Sequence, residues 1–99
     1  MIKKYYSDYV RYALRFYSRN LKNPAFNCIA SEKNWNACDK VLNLHFPIYK
    51  DVLLSVYQGR DTMGDNVYET SKIYNVPQDK IWAMMDNLEK LIAQERGLI

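Results

Sequence analysis

The apolar residues of this chain recur at helical spacing, and this periodicity constrains the fold more than any other feature. Near the end of the chain, Ile81, Met85, Leu88 and Ile92 follow one another at intervals of four, three and four residues. Such spacing places them on one face of an α-helix. No segment alternates polar and apolar residues as a half-buried strand does. With only three glycines and three prolines in 99 residues, the sequence predicts an all-α fold.

We expect about five helices, over residues 3–19, 32–44, 47–57, 66–74 and 78–96. Ser31 is expected to cap the second helix, and Pro47 to begin the third, where its missing N–H costs nothing. Asp65 or Asn66 should cap the fourth helix. Residues 21–30, which include a proline, are expected to form a loop.

The first helix is unusually rich in aromatic residues. It carries a stripe of four at helical spacing: Tyr5, Tyr9, Tyr12 and Phe16. A second set broadens the stripe, namely Tyr6, Val10, Ala13 and Tyr17. We therefore expect the first helix to be well buried against the C-terminal half. The inward sets of the next two helices should be Trp35, Cys38, Val41 and Leu42, and then Ile48, Val52, Leu53 and Val56.

The length of the chain limits its function. Ninety-nine residues make a single domain, which we divide into an N-terminal helical extension (1–45) and a C-terminal part (46–99). A deep catalytic pocket and a nucleophile–base pair are not expected, so we predict no enzyme. Cys28, Cys38 and His45 lack the paired spacing of zinc ligands, and no metal or cofactor is expected. No apolar run has the length of a membrane span, and two cysteines favour the cytoplasm.

Charge is unevenly distributed along the chain. Residues 1–50 contain nine lysines and arginines against three acidic residues, a net charge of +6, whereas residues 51–99 carry −3. Arg11, Arg15 and Arg19 form a basic line along the first helix. Three readings stay open for it: a solvated face, contact with nucleic acid phosphates, and ion pairing with acidic residues of the last helix (Asp86, Glu89 or Glu95).

The most specific pattern lies between residues 67 and 85. The small Ser71 permits a close crossing of two helices, and four residues later Asn75 can adopt the left-handed conformation of a sharp turn. Val76 would fill the corner, while Ile81 and Met85 would dock the following helix onto the preceding one. Such a pattern is typical of a helix-turn-helix.

Residues 46–98 resemble region 4 of bacterial sigma factors, especially the small sigma-like proteins of phages and conjugative elements. The similar stretches are residues 47–59, 68–76 and 89–92. The resemblance implies that the start of the last helix enters the DNA major groove. Carried over by position, the DNA-contacting residues are Gln78, Asp79, Lys80, Trp82 and Ala83. Residues 1–45 have no counterpart in the family.

The expected function is therefore that of a small mobile-element transcriptional regulator in a bacterial cytoplasm, binding double-stranded DNA, RNA polymerase or both. Gln78, Lys80, Trp82 and Ala83 would act with the arginine line of the first helix. Trp82 stands where the family has a basic or polar residue, and Asp79 and Asp86 share its face. The alternative is a protein interaction module, for example a phage-borne inhibitor of a host machine. The oligomeric state stays open.

Overall fold

The computed structural model describes residues 4–99, and these residues form five helices and no strand. The helices are α1 (Ser7–Arg19), α2 (Ile29–His45), α3 (Lys50–Gln58), α4 (Met63–Tyr74) and α5 (Gln78–Glu95). The predicted all-α fold of about five helices is thus confirmed. Lys3, the expected start of the first helix, lies outside the described residues. Within residues 4–99, each helix is too short or too polar to cross a membrane.

Helix α5 is the centre of the fold, because it packs against each of the other four helices. Helix α1 also packs on α2 and α3, and α3 on α4. All five helices contribute fully buried side chains, the largest being Tyr17, Tyr57, Leu14, Leu42, Leu53, Ile81, Met85, Leu88 and Ile92. Burial of each of the leucine, isoleucine and methionine side chains stabilises the fold by about 1.5–3 kcal/mol. The C-terminal helix is therefore held in a fixed orientation by the rest of the chain.

Helix α1 does not bury the aromatic stripe that its spacing predicts. Tyr5 is 79% and Tyr12 71% exposed, and Tyr9 is also exposed. Their hydroxyl groups can stay hydrated or find polar partners: that of Tyr5 donates to the carbonyl oxygen of Leu98 at 2.6 Å. The buried face is instead the neighbouring one, formed by Tyr6, Val10, Ala13, Leu14 and Tyr17. The second set of the prediction is therefore correct, whereas the main stripe is wrong at its three tyrosines, and only Phe16 of that stripe is half-buried.

Four helix starts differ from the sequence prediction. Helix α1 begins at Ser7, and residues 4–6, which were expected to be helical, lie outside it. Helix α2 begins a turn earlier, with Cys28 rather than Ser31 at the cap position. Helix α4 begins at Met63, because the Thr62 hydroxyl accepts a hydrogen bond from the Asp65 N–H at 3.2 Å and so caps the helix. Pro47 lies in a turn that precedes α3 rather than in its first position.

The late start of α3 explains a further error. Ile48 falls in the turn, where it is 86% exposed, so its predicted place in the core is wrong. The other inward residues of α3 are buried as predicted: Val52, Leu53 and Val56. In α2, Cys38, Val41 and Leu42 are buried, while Trp35 is half-buried and its indole N–H donates to the carbonyl oxygen of Asn20 at 2.9 Å.

Candidate nucleic-acid interface

A tight turn joins α4 to α5. Asn75 adopts the left-handed conformation that the sequence predicted, with φ 54° and ψ 46°. The N–H of Val76 donates to the carbonyl oxygen of Ser71 at 3.2 Å, which closes the end of α4. Val76 packs against the core, and Pro77 directly precedes the first residue of α5. The turn is therefore held by backbone geometry as well as by packing.

The inner face of α5 is anchored as its spacing predicts. Ile81, Met85, Leu88 and Ile92 are all at most 1% exposed. At its far end, Gly97 has φ 72°, and the N–H of Leu98 donates to the carbonyl oxygen of Ala93 at 2.8 Å. This arrangement is a Schellman motif, which terminates the helix. Both ends of α5 are thus defined, and its outer face has a fixed direction.

The first two turns of α5 present most of the predicted contact residues to solvent. Gln78, Lys80 and Ala83 are exposed, whereas Trp82 is half-buried and packs against the core. The Lys80 ammonium donates to the Tyr49 hydroxyl at 2.6 Å and lies 4.5 Å from the centre of that ring. A cation–π contact of this kind orients the lysine without removing its charge.

The three arginines of α1 have different surroundings. Arg11 is only 17% exposed, because its Nε donates to Oε2 of Glu89 at 2.9 Å. Arg15 is half-buried, and Arg19 is exposed with one long hydrogen bond, 3.4 Å, to the carbonyl oxygen of Gly59. Ion pairing, one of the three readings of the basic line, therefore holds for Arg11.

Glu89 is a charged residue within the buried face of α5. It is 3% exposed, and its Oε2 accepts hydrogen bonds from Arg11 and from the Tyr57 hydroxyl, the latter at 2.7 Å. Burial raises the pKa of Glu89, and the two donors only partly offset this rise. Burial of Tyr57 and its contact with the Glu89 carboxylate raise the pKa of Tyr57 well above its ordinary value. This network ties α1, α3 and α5 together.

A groove of about 540 Å³ opens between the N-terminal end of α1 and the middle of α5. Trp82, Ala83 and Arg11 line it together, so the structure unites these three predicted site residues. Gln78, Lys80, Arg15 and Arg19 do not line this groove. The sequence-predicted residues therefore fall into two groups, one at the groove and one on the open surface.

Sequence reasoning did not foresee the groove. It forms where α1 meets α5, and spacing within one helix says nothing about where a second helix approaches. The signal that could have found it is Glu89, an acidic residue next to Leu88 in an apolar stripe. A carboxylate there needs a cationic partner, and Arg11 was among the candidates.

Comparison of the chain with models of known families, with curated proteins and with solved structures finds no match. Within residues 4–99, no group of three or more histidine, cysteine or acidic side chains is placed to hold a metal ion.

Proposed function

We propose that this protein is a small transcriptional regulator that binds double-stranded DNA, RNA polymerase or both, and that it uses α4, the turn and α5 as a sigma region 4-like helix-turn-helix. The observation that carries the proposal is the exposed start of α5 directly after the left-handed turn at Asn75. A helix of 18 residues, held along its inner face and free at its start, has the form that enters a major groove.

Base recognition is assigned to Gln78 and Ala83. The glutamine amide has a donor and an acceptor that match the major-groove edge of adenine. The small side chain of Ala83 permits close approach and apolar contact with a thymine methyl group. Both residues are exposed on α5. Sequence preference would thus favour A·T base pairs under the start of α5.

Phosphate contacts are assigned to Lys80, Arg15 and Arg19. Lys80 is exposed and oriented by Tyr49, and neither Arg15 nor Arg19 forms an ion pair within residues 4–99. Arg11 would contribute less than its neighbours, because its guanidinium is already paired with Glu89. The net charge of +6 in residues 1–50 adds long-range attraction to DNA.

Selection from a random duplex library, followed by gel-shift titration of the recovered sequence, tests the proposal. We expect binding at micromolar protein or below, and a preference for the selected duplex over a scrambled one. Gln78→Ala should reduce that preference by about 5- to 150-fold, the value of one bidentate base contact. Lys33→Ala, at an exposed lysine of α2, is the control and should bind as the parent. Failure to bind any duplex at micromolar protein would contradict the DNA-binding proposal.

Docking on a host protein is the second candidate, and Trp82 is the observation that favours it. This half-buried indole stands beside the exposed carboxylate of Asp86, and Asp79 is exposed on the same helix. The two carboxylates oppose phosphates but not a protein surface. Under this function Trp82→Ala should weaken capture of the partner by about 30-fold, the loss expected of an interface anchor. Pull-down from a bacterial lysate, with DNA and RNA polymerase both scored, distinguishes the two candidates: capture of either supports the regulator, and capture of a different protein without DNA supports the second candidate.

A further inference from the structure

The groove between α1 and α5 has the size of a small-molecule site. Its volume of about 540 Å³ lies inside the range of about 300–1,000 Å³ that is usual for such sites. Arg11 and Glu89, the most buried charges that line it, are already paired with each other. Any ligand would therefore be recognised by the remaining residues at the groove.

Three charged side chains that line the groove have no bonding partner within the described residues. Within residues 4–99, those of Lys4, Asp86 and Lys90 form no ion pair or hydrogen bond. They line the groove together with Trp82, whose indole is half-buried. The groove thus presents two free ammonium groups, one free carboxylate and an aromatic surface.

These groups match the parts of one nucleotide. An aromatic base stacks on an indole, a contact worth about 1–3 kcal/mol per base. A phosphate pairs with two ammonium groups, and a carboxylate accepts from the exocyclic amino group of a base. An inorganic anion would leave Trp82 and Asp86 unused, and the Asp86 carboxylate would repel it.

From this arrangement we infer that the groove binds a free mononucleotide whose base carries an exocyclic amino group. Trp82 stacks on the base, Asp86 accepts from its amino group, and Lys4 and Lys90 hold the phosphate. Gln78 and Lys80 lie outside the groove, whereas Ala83, which we assign to base recognition, lines it, so binding of the nucleotide is measured without DNA.

Titration of the full chain with AMP, followed by NMR and calorimetry, tests the inference without any DNA present. We expect saturable binding with a Kd below about 1 mM, and a shift of the Trp82 indole N–H signal. The Trp35 indole N–H, which donates a hydrogen bond to the carbonyl oxygen of Asn20, is an internal reference, and its NMR signal should not shift. IMP, which lacks the amino group, and adenosine, which lacks the phosphate, should each bind at least about tenfold more weakly.

Two variants at exposed positions assign the contacts. Lys90→Ala should weaken AMP binding at least about fivefold, and Asp86→Ala should remove the preference for AMP over IMP. Lys33→Ala is the control. A short oligoadenylate that binds no better than AMP would support a free nucleotide as the ligand, whereas one that binds much better would show that the ligand is a nucleic acid strand. No saturable binding of AMP at millimolar concentration, or a shift of Trp35 alone, would overturn the inference.

Discussion

The two faces of α5 use charge in opposite ways. On the inner face, Glu89 is buried and shares its carboxylate with Arg11 and Tyr57. On the outer face, Asp86 and Lys90 lie one turn apart, yet neither forms an ion pair within residues 4–99. A buried charge must be paired because its desolvation is costly, whereas an exposed one stays hydrated and available. Glu89 therefore belongs to the fold, whereas Asp86 and Lys90 are free to bind.

The largest expected effect comes from two neighbouring substitutions on opposite faces. Leu88→Ala should lower the free energy of unfolding by about 2–5 kcal/mol, because it leaves a cavity where a fully buried side chain stood. Lys90→Ala, two residues away and exposed, should change it by less than about 0.5 kcal/mol. Urea denaturation measures both. An equal loss of unfolding free energy in the two variants would contradict the assignment of Leu88 to a buried face and Lys90 to an exposed face.

A smaller effect is expected from separating the buried ion pair. Arg11→Met should cost about 3 kcal/mol, because it leaves the Glu89 carboxylate buried without its cation. Adding Glu89→Gln to this variant should recover most of the loss, since the amide oxygen still accepts from Tyr57 while the charge is gone. Denaturation of the single and double variants checks this. A double variant no more stable than Arg11→Met would show that the pair is not the source of the cost.

The smallest effect is a pH dependence that belongs to Glu89. The ordinary pKa of this carboxyl group is 4.5, and burial raises the pKa of Glu89 in the folded protein above it. Between the ordinary pKa and the raised pKa, the folded state therefore binds more protons than the unfolded state. The Glu89 contribution to the free energy of unfolding therefore falls as pH rises through that window. Relative to the wild-type protein, Glu89→Gln should gain stability from about pH 4.5 upward and then level off.

Denaturation of both proteins from about pH 4 to pH 8 follows this difference. The groups that titrate in both chains cancel in the comparison. A stability difference that moves in favour of the wild-type protein as pH rises would contradict the assigned direction of the Glu89 pKa.

The contrast between α5 and α1 shows how far the sequence could predict the fold. In α5, aliphatic residues marked the buried face, and Ile81 and Leu88 are buried as expected. In α1, both candidate faces contained aromatic residues, and tyrosine is amphipathic enough to lie on either side. Spacing alone could not choose between the face of Tyr12 and that of Tyr17. The choice depends on packing against α2 and α3.

In the candidate site, too, some features could be predicted from local sequence, whereas others depend on tertiary packing. The left-handed turn at Asn75 follows from local pattern, because it depends on the end of α4 and the start of α5. The ion pairing of Arg11, by contrast, depends on Glu89, which is 78 residues away in sequence. Which of several carboxylates an arginine meets is decided by tertiary packing, so the sequence could offer only a choice.

The salt dependence of duplex binding tests the central claim most directly. It is measured by fluorescence anisotropy on the selected duplex, as the slope of log affinity against log salt concentration. The wild-type slope should be clearly negative, and Lys80→Ala should reduce its magnitude by about 0.9, the value of one phosphate contact. Gln78→Ala should weaken specific binding yet leave the slope unchanged, and Lys33→Ala should alter neither. Binding that is absent, or that shows no salt dependence, would contradict DNA recognition by α5.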